Sequence, residues 1–370
     1  MNGKDPVRVA VIGVGANVFK MHAPALHRPD VEVVAVVDVN VAAAERQAED
    51  FGCPFFADHR AMLAATSPQA AVVLAPHPFH APLAIDCLTA GAHVLVEKPM
   101  AVEVAEADAM IDAARQANRL LAVNLQHRTR AEIRTARRLI DEGRLGQIQR
   151  VEMVAIWTRT ASYYAMARWR GTWLGEGGGV LMNQSPHSLD LVCHLAGQPS
   201  RVVAWNRTIY HAIEAEDTSL AMLEWPTAVL GTLLVSTAQS GDAERLEIGG
   251  TRGTLRLAHG NLQLFEADQD LRDFLRENRE PFGEPQLTER DVPLDPGDGN
   301  HQAIYDNFIT AIHGGGPLVA DGAEGRLSLE LANALIQSSH TGEPVSLPLD
   351  PVAYSTTLAH LRHNAAALVT

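Results

Sequence analysis

The first third of the chain alternates short apolar runs with longer stretches whose apolar residues recur at helical spacing. "VRVAVIG" (7–13), "VEVVAVVD" (31–38), "QAAVVLAP" (69–76), "HVLVE" (93–97) and "LLAVNL" (120–125) are rich in β-branched residues and carry few polar positions. Runs of this kind read as strands buried on both faces. Between them, "VAAAERQAEDFG" and "AVEVAEADAMIDAARQAN" have helical spacing and polar outer faces. Strand and helix in alternation predict an α/β domain, a doubly wound parallel sheet with helices on both sides.

The grammar changes after a helix at 131–143, "AEIRTARRLIDEG". "QIQRVEMVAIWT", "RVVAWNRTI", "TSLAMLEW", "AVLGTLLVSTA", "ERLEIGG", "GTLRLAHG" and "NLQLFEA" follow one another with turn residues between and little helix. Successive short strands imply an α+β domain with a large, mostly antiparallel, open-faced sheet. Residues 267–299, rich in charge, Pro and Gly, read as an excursion or mobile loop, and helices return near 300–314 and 323–340. The expected boundary lies near residue 125, giving domains 1–125 and 126–370.

Length agrees with this division, because 370 residues exceed what a single core usually supports. The net charge of −14 argues against a nucleic-acid backbone or an anionic membrane as main partner, since both need a basic footprint. A neutral small molecule fits better. No charge-free apolar run approaches the roughly 20 residues of a membrane span, and "MNGKDPVRVAVIG" lacks the marks of a signal peptide, so a cytoplasmic location is expected. Cys53, Cys87 and Cys193 are odd in number and widely spaced, which fits reduced thiols rather than a disulfide framework or a zinc site.

Chemistry enters at the end of the first strand. Gly13 and Gly15 in "VAVIGVGANVFKMH" begin a G-x-G-x-x-G fingerprint, in which glycines let the backbone approach a pyrophosphate at a helix N-terminus; Asn17 and Val18 complete the turn, Val18 in place of the third glycine. Asp38 ends the second strand 25 positions after Gly13, near the spacing expected of a carboxylate that binds the adenosine ribose. A carboxylate there repels a 2′-phosphate, and Val39 and Asn40 offer no cation, so NAD is favoured over NADP.

A second signal is "HVLVEKPMAV" (93–102), a buried run that ends in two opposite charges and a proline. Adjacent strand residues point to opposite faces, so Glu97 and Lys98 are not a side-by-side ion pair. With "GVGANVFKMH", "APHPFH" (75–80), "EKPM" (97–100), "GRLGQIQRVE" (143–152), "GEGGGVLMNQSPHSLD" (175–190), "FITAI" and "RLSLELANALIQSS" in this order, nearly the whole chain resembles the Gfo/Idh/MocA oxidoreductases, a family that includes glucose-fructose oxidoreductase and inositol dehydrogenase. The resemblance implies an N-terminal Rossmann domain and roles at matching positions. Lys98 would lie beside the nicotinamide and contact the reacting oxygen, and His187 would be the general acid/base. Pro76, His77, His80 and Glu97 would line the cofactor, with Asn124, Gln126, His127 and Arg128 at the crossing between domains; Gln126 is counted with the cofactor-binding residues. Where the family carries an aspartate four residues ahead of the histidine, this chain has Asn183. Asparagine cannot take a proton, so Asn183 is expected to orient substrate or histidine.

The pair makes chemical sense without the family, because oxidising a secondary alcohol needs a base for the hydroxyl proton and a positive group near the developing alkoxide. The i, i+4 spacing of Asn183 and His187, with Asp190 three further on, predicts one helical face. The expected activity is an NAD(P)-dependent dehydrogenase acting on a secondary hydroxyl of a sugar, sugar derivative or cyclitol. Asn124, Gln126, His127, Arg128, Tyr163, Arg168 and Gln184 supply polar groups suited to hydroxyl recognition. Two alternatives stand beside it: a glycosidase or lyase that oxidises the ring transiently, and a cofactor-sensing regulator on the same fold. His77 and His80 lack a third ligand with metal-site spacing, so no metal is expected. The open sheet face is expected to make a homodimer or homotetramer.

Overall fold

The structure, a computed structural model, describes residues 5–241 and 244–367. In chain order the elements are β1 (Val7–Ile12), α1 (Phe19–Leu26), β2 (Val31–Val37), α2 (Val41–Phe51), β3 (Phe55–Phe56), α3 (His59–Thr66), β4 (Ala70–Val73), α4 (His80–Thr89), β5 (His93–Val96), α5 (Val104–Ala117) and β6 (Leu121–Val123). There follow α6 (Ala131–Asp141), β7 (Ile148–Ile156), α7 (Ala161–Ala165), α8 (Pro186–Ala196), β8 (Arg201–Arg207), β9 (Thr218–Glu224), β10 (Leu230–Ser236), β11 (Glu244–Gly250), β12 (Gly253–Ala258) and β13 (Asn261–Ala267). The chain closes with α9 (Leu271–Glu277), β14 (Leu287–Arg290), α10 (His301–Ile312), α11 (Gly322–Thr341), β15 (Val345–Ser346) and α12 (Pro351–Ala367). Among the described residues, no helix is long and apolar enough to cross a membrane.

The chain forms two compact units. The first contains the residues up to Gln126 together with Leu174–Gly177 and Asn300–Leu329. Its six strands are all parallel, in the order β3-β2-β1-β4-β5-β6. β4 is buried at every position and β5 at all but its first, because helices cover both faces. The order reverses between β1 and β4, and in such sheets ligands bind outside the carboxyl ends of the strands at this switch point. Residues from α10 complete the core: Ile304, Tyr305, Phe308 and Ile309 join Phe19, Ala25 and Leu26 of α1. The linear reading put the 300–314 helix after the second sheet without assigning it to a core; the structure returns it to the first.

The second unit contains His127–Trp173, Gly178–Gly299 and Glu330–Thr370. Its nine-stranded sheet runs β14-β13-β12-β11-β7-β10-β9-β8-β15 and is antiparallel except for the β7/β10 pair. Alternating strands such as β9, which buries Ala221 and Leu223 and exposes Leu220 and Met222, leave one face open. The 267–299 stretch is not loop throughout: Asp270 caps α9 by accepting from the Arg272 amide at 3.0 Å, and β14 pairs with β13.

Candidate functional site

The glycine turn after β1 is shaped by close approach. Gly13 has φ +95°, and a Cβ on it would lie 2.7 Å from the backbone of Leu74 and Ala75 at the end of β4. A Cβ on Gly15 would meet the Asp38 carboxylate at 2.9 Å. That proximity is used: Asp38 Oδ2 accepts from the Gly15 amide at 2.6 Å and Oδ1 from the Asn40 amide at 2.8 Å. The carboxylate is thereby fixed at the carboxyl end of β2. Gly15 and Asn17 are exposed and Val18 half-buried in the turn ahead of α1. An open turn at a helix start beside a fixed carboxylate suits a dinucleotide.

At the end of β5 stands Glu97, the first of the two opposite charges that close the apolar run. It turns into the protein, where Oε1 takes Nε2 of His22 at 2.9 Å and the Asn124 amide, and Oε2 takes the Lys98 backbone amide at 3.2 Å. Burial by itself raises the Glu97 carboxyl, but the hydrogen bond and charge of His22, the charge of Lys98 and the Asn124 amide outweigh it and hold it at about 2. Lys98 is half-buried. Asn124, expected among the hydroxyl-recognising residues, is fully buried beneath Glu97 and acts on that carboxylate. His80 sits between two carbonyls, Nδ1 2.8 Å from Pro99 O and Nε2 2.6 Å from Ala75 O, so it donates to one of them as a neutral ring and ties the loop after β4 to the turn after β5 through both only when protonated. Pro76 begins the short turn that carries His77, whose Nδ1 lies 3.2 Å from the Glu176 carbonyl. Burial, with the charges of His80 and Lys98, pushes His77 down to about 3, so it is a neutral ring at physiological pH. Gln126 is half-buried in the single turn that follows β6.

In the second unit, the Gly-rich segment wraps onto Glu216. Gly179 is obligatory because a Cβ there would overlap the Glu216 carbonyl. The Gly179 and Leu181 amides donate to Glu216 Oε1 at 2.9 and 3.1 Å. The Ser185 amide closes on the Val180 carbonyl at 2.9 Å, and Pro186 starts α8. Proline favours the first helical position because its missing amide would have no helical partner there. Asn183 therefore lies in the turn ahead of α8, and the single helical face predicted for Asn183, His187 and Asp190 does not form. His187, in the first turn of α8, is 8% exposed and stacks on His127 with ring centres 4.1 Å apart and planes inclined by 20°. Arg128 is buried and grips Asp190, with Nη2 to Oδ1 at 2.7 Å and Nε to Oδ2 at 2.9 Å.

A hydroxyl and amide cluster lies on the same unit. The Tyr163 oxygen accepts from Arg170 Nη1 at 2.7 Å and Gln184 Nε2 at 2.9 Å, and its proton goes to Asn183 Oδ1 at 3.3 Å. Arg170 also covers the Tyr163 ring, 4.4 Å from its centre. Arg168, singled out from the sequence, is exposed, whereas Arg170 was missed. The alternation of aromatics and arginines in "YYAMARWR" carried the signal for both; only packing distinguishes them. Glu216 was missed because nothing in its local sequence marks it.

Residues 7–125 match the model of an oxidoreductase family with an NAD-binding Rossmann fold, and residues 133–256 match the GFO/IDH/MocA C-terminal domain. The chain belongs to the Gfo/Idh/MocA oxidoreductase family. This member is 29% identical to D-glucoside 3-dehydrogenase of Escherichia coli over 362 residues, covering 93% of this chain and 98% of the relative. It is 25% identical to inositol 2-dehydrogenase of Rhizobium meliloti, covering 92% and 99%. Among solved structures, the WlbA dehydrogenase of Chromobacterium violaceum in complex with NADH and UDP-GlcNAcA superposes with a TM-score of 0.82 at 30% identity, covering 94% of this chain and 98% of that one. The Gfo/Idh/MocA chain described here thus carries its NAD-binding fold in the first unit and its large sheet in the second.

Proposed function

We propose that the protein is an NAD-dependent dehydrogenase that interconverts a secondary hydroxyl of a sugar, sugar derivative or cyclitol with the corresponding ketone. The observation that carries this reading is the Tyr163 cluster: the phenol hydroxyl fixes the amides of Asn183 and Gln184 and the Arg170 guanidinium, side chains whose directional hydrogen bonding suits a polyol. The names of similar proteins, D-glucoside 3-dehydrogenase and inositol 2-dehydrogenase, support it. When bound, the nicotinamide supplies the redox step. In this reading Lys98 stabilises negative charge on the substrate oxygen, His187 takes or returns its proton, and Asn183 orients the substrate. His127 and Arg168 take part in substrate recognition with Tyr163 and Gln184. A screen for NAD reduction over polyols, aldoses, glycosides, sugar acids and inositols tests the proposal. Glycoside cleavage without net NADH would replace it with the transient-oxidation mechanism.

NAD is proposed over NADP because the Asp38 carboxylate, fixed by the Gly15 and Asn40 amides, accepts ribose hydroxyls and opposes a 2′-phosphate. Hydrogen bonds to a charged group are worth about 1.5–3 kcal/mol, so Asp38→Ala should weaken NAD roughly tenfold or more and narrow its lead over NADP. Calorimetry that finds NADP tighter on the unmodified protein refutes the preference.

The open face of the second sheet exposes Trp205 (49%), Leu220 (49%), Met222 (54%) and Leu230 (57%). Trp205 and Leu220 are cross-strand partners, so the patch is contiguous. We propose that a second copy of the chain covers it. Leu220→Lys should then reduce the mass measured by light scattering to that of a monomer; a monomeric unmodified protein at micromolar concentration removes the proposal.

A further inference from the structure

Around Glu97, the residue before Lys98, the first unit holds a buried chain of polar groups drawn from four elements. Tyr305 of α10 has its hydroxyl 2.9 Å from Nδ1 of His22 on α1, and Nε2 of His22 lies 2.9 Å from Oε1 of Glu97 after β5. Asn124 after β6 donates to the same oxygen, and the Lys98 amide reaches the other. Tyr305, His22 and Asn124 are each exposed by 1% or less. With the carboxylate as acceptor, the His22 proton at Nε2 points to Glu97, and Tyr305 completes the ring at Nδ1. So many buried polar groups gathered on one carboxylate are costly unless partnered, and here contacts of 2.9 Å link phenol, imidazole and carboxylate in a row.

We propose that Tyr305 and His22 are positioning residues that lock Glu97 as a fixed negative charge next to Lys98 in the chain, and that this charge keeps the lysine ammonium protonated where the reaction needs it. The inference rests on the proposed role of Lys98. Three other titratable groups feel the lysine's charge: His77 and His80 from the turn and helix after β4, and His301 at the start of α10. Burial lowers all three, His77 to about 3 and His301 to about 4 with help from the charges of His22 and Lys98, so neither His77 nor His301 adds positive charge near neutral pH. The ligand atoms of His22, Glu97 and His301 lie within 4.8 Å of one another, a spacing that a divalent metal also accepts. Both His22 nitrogens already have partners in the relay, which favours the proton-holding role over a metal site.

The test reads Lys98 directly. The chain has only three lysines, so competitive acylation followed across pH, with each lysine mapped by mass spectrometry and Lys20 as internal reference, reports the pH at which Lys98 loses its proton. An anion beside a cation raises the cation's pKa, so Glu97→Gln should move that pH down by about one unit or more, and the alkaline limb of the activity profile should follow. Tyr305→Phe, which removes one oxygen, should move both in the same direction by less and lower turnover several-fold with NAD affinity within about twofold. If Glu97→Gln does not fold, Tyr305→Phe and His22→Asn carry the measurement. Unchanged Lys98 labelling in the folded variants overturns the proposal, as does stoichiometric zinc or another divalent metal in the purified protein whose removal abolishes activity. A shifted labelling curve beside full activity of Lys98→Met would instead uphold the electrostatic coupling and refute the catalytic role of the lysine.

Discussion

Lys98→Met should lower turnover about a hundredfold or more while the dissociation constant for NAD stays close to that of the unmodified protein. Methionine keeps much of the stem's bulk and removes the ammonium, so the half-buried position after β5 stays filled. In the proposed mechanism, what is lost is a positive charge near an oxygen that becomes negative during the reaction. An interaction present mainly in the transition state appears in kcat and in kcat/KM together, not in ground-state binding. Removal of a donor of this kind costs about 10²–10³ in rate. Glu97 stays anchored through His22 and Asn124 in the variant, so collapse of the turn is not expected to mimic the effect. Near-normal turnover on the best substrate would make the lysine structural and leave the chemistry to His187.

The two sheets were legible because burial writes itself into the chain in two dialects. Strands covered on both faces, such as β4 and β5, become unbroken apolar runs, whereas β9 and β10, open on one face, alternate. Gly13, Gly15 and Asp38 were legible for a related reason: close backbone approach admits only glycine, and the carboxylate follows at the length of one strand-helix-strand unit. Partnerships made by tertiary packing left no local trace. Glu97 could be seen at a strand end, but His22 and Tyr305, 283 positions apart in sequence, meet only in the folded unit. The same holds for Glu216, which fixes the turn before α8, and for the start of α8 at Pro186, where helical spacing alone had extended the helix back to Asn183. One compositional signal was available and carries weight. The chain uses 27 arginines and three lysines, so a lysine at position 98 is a departure from its habit. Arginine stays charged at any accessible pH, whereas lysine is a compact charge whose protonation the surroundings can set.

Asp190→Asn should destabilise the second unit by about 3–5 kcal/mol, the usual cost of leaving one member of a buried ion pair uncompensated. The side chains of Arg128 and Asp190 are 2% and 0% exposed, and the guanidinium fork meets both carboxylate oxygens. Asparagine keeps the shape but offers one acceptor oxygen and no charge, so the Arg128 cation remains buried with half its support. Replacing both partners with apolar residues of similar volume, Arg128→Met with Asp190→Leu, removes the charge as well as its partner and should recover most of the loss. The helix that carries Asp190 also carries His187, and Arg128 adjoins His127, whose ring stacks on His187. The single variant should therefore lose turnover as well as stability, and the double variant should regain stability more fully than turnover, because only the charged pair fixes the side-chain register of the two segments. Urea unfolding of the three proteins, each assayed for activity below its transition, checks both halves. Equal losses in the single and double variants would mean that the pair is not coupled and that α8 is held by its apolar packing alone.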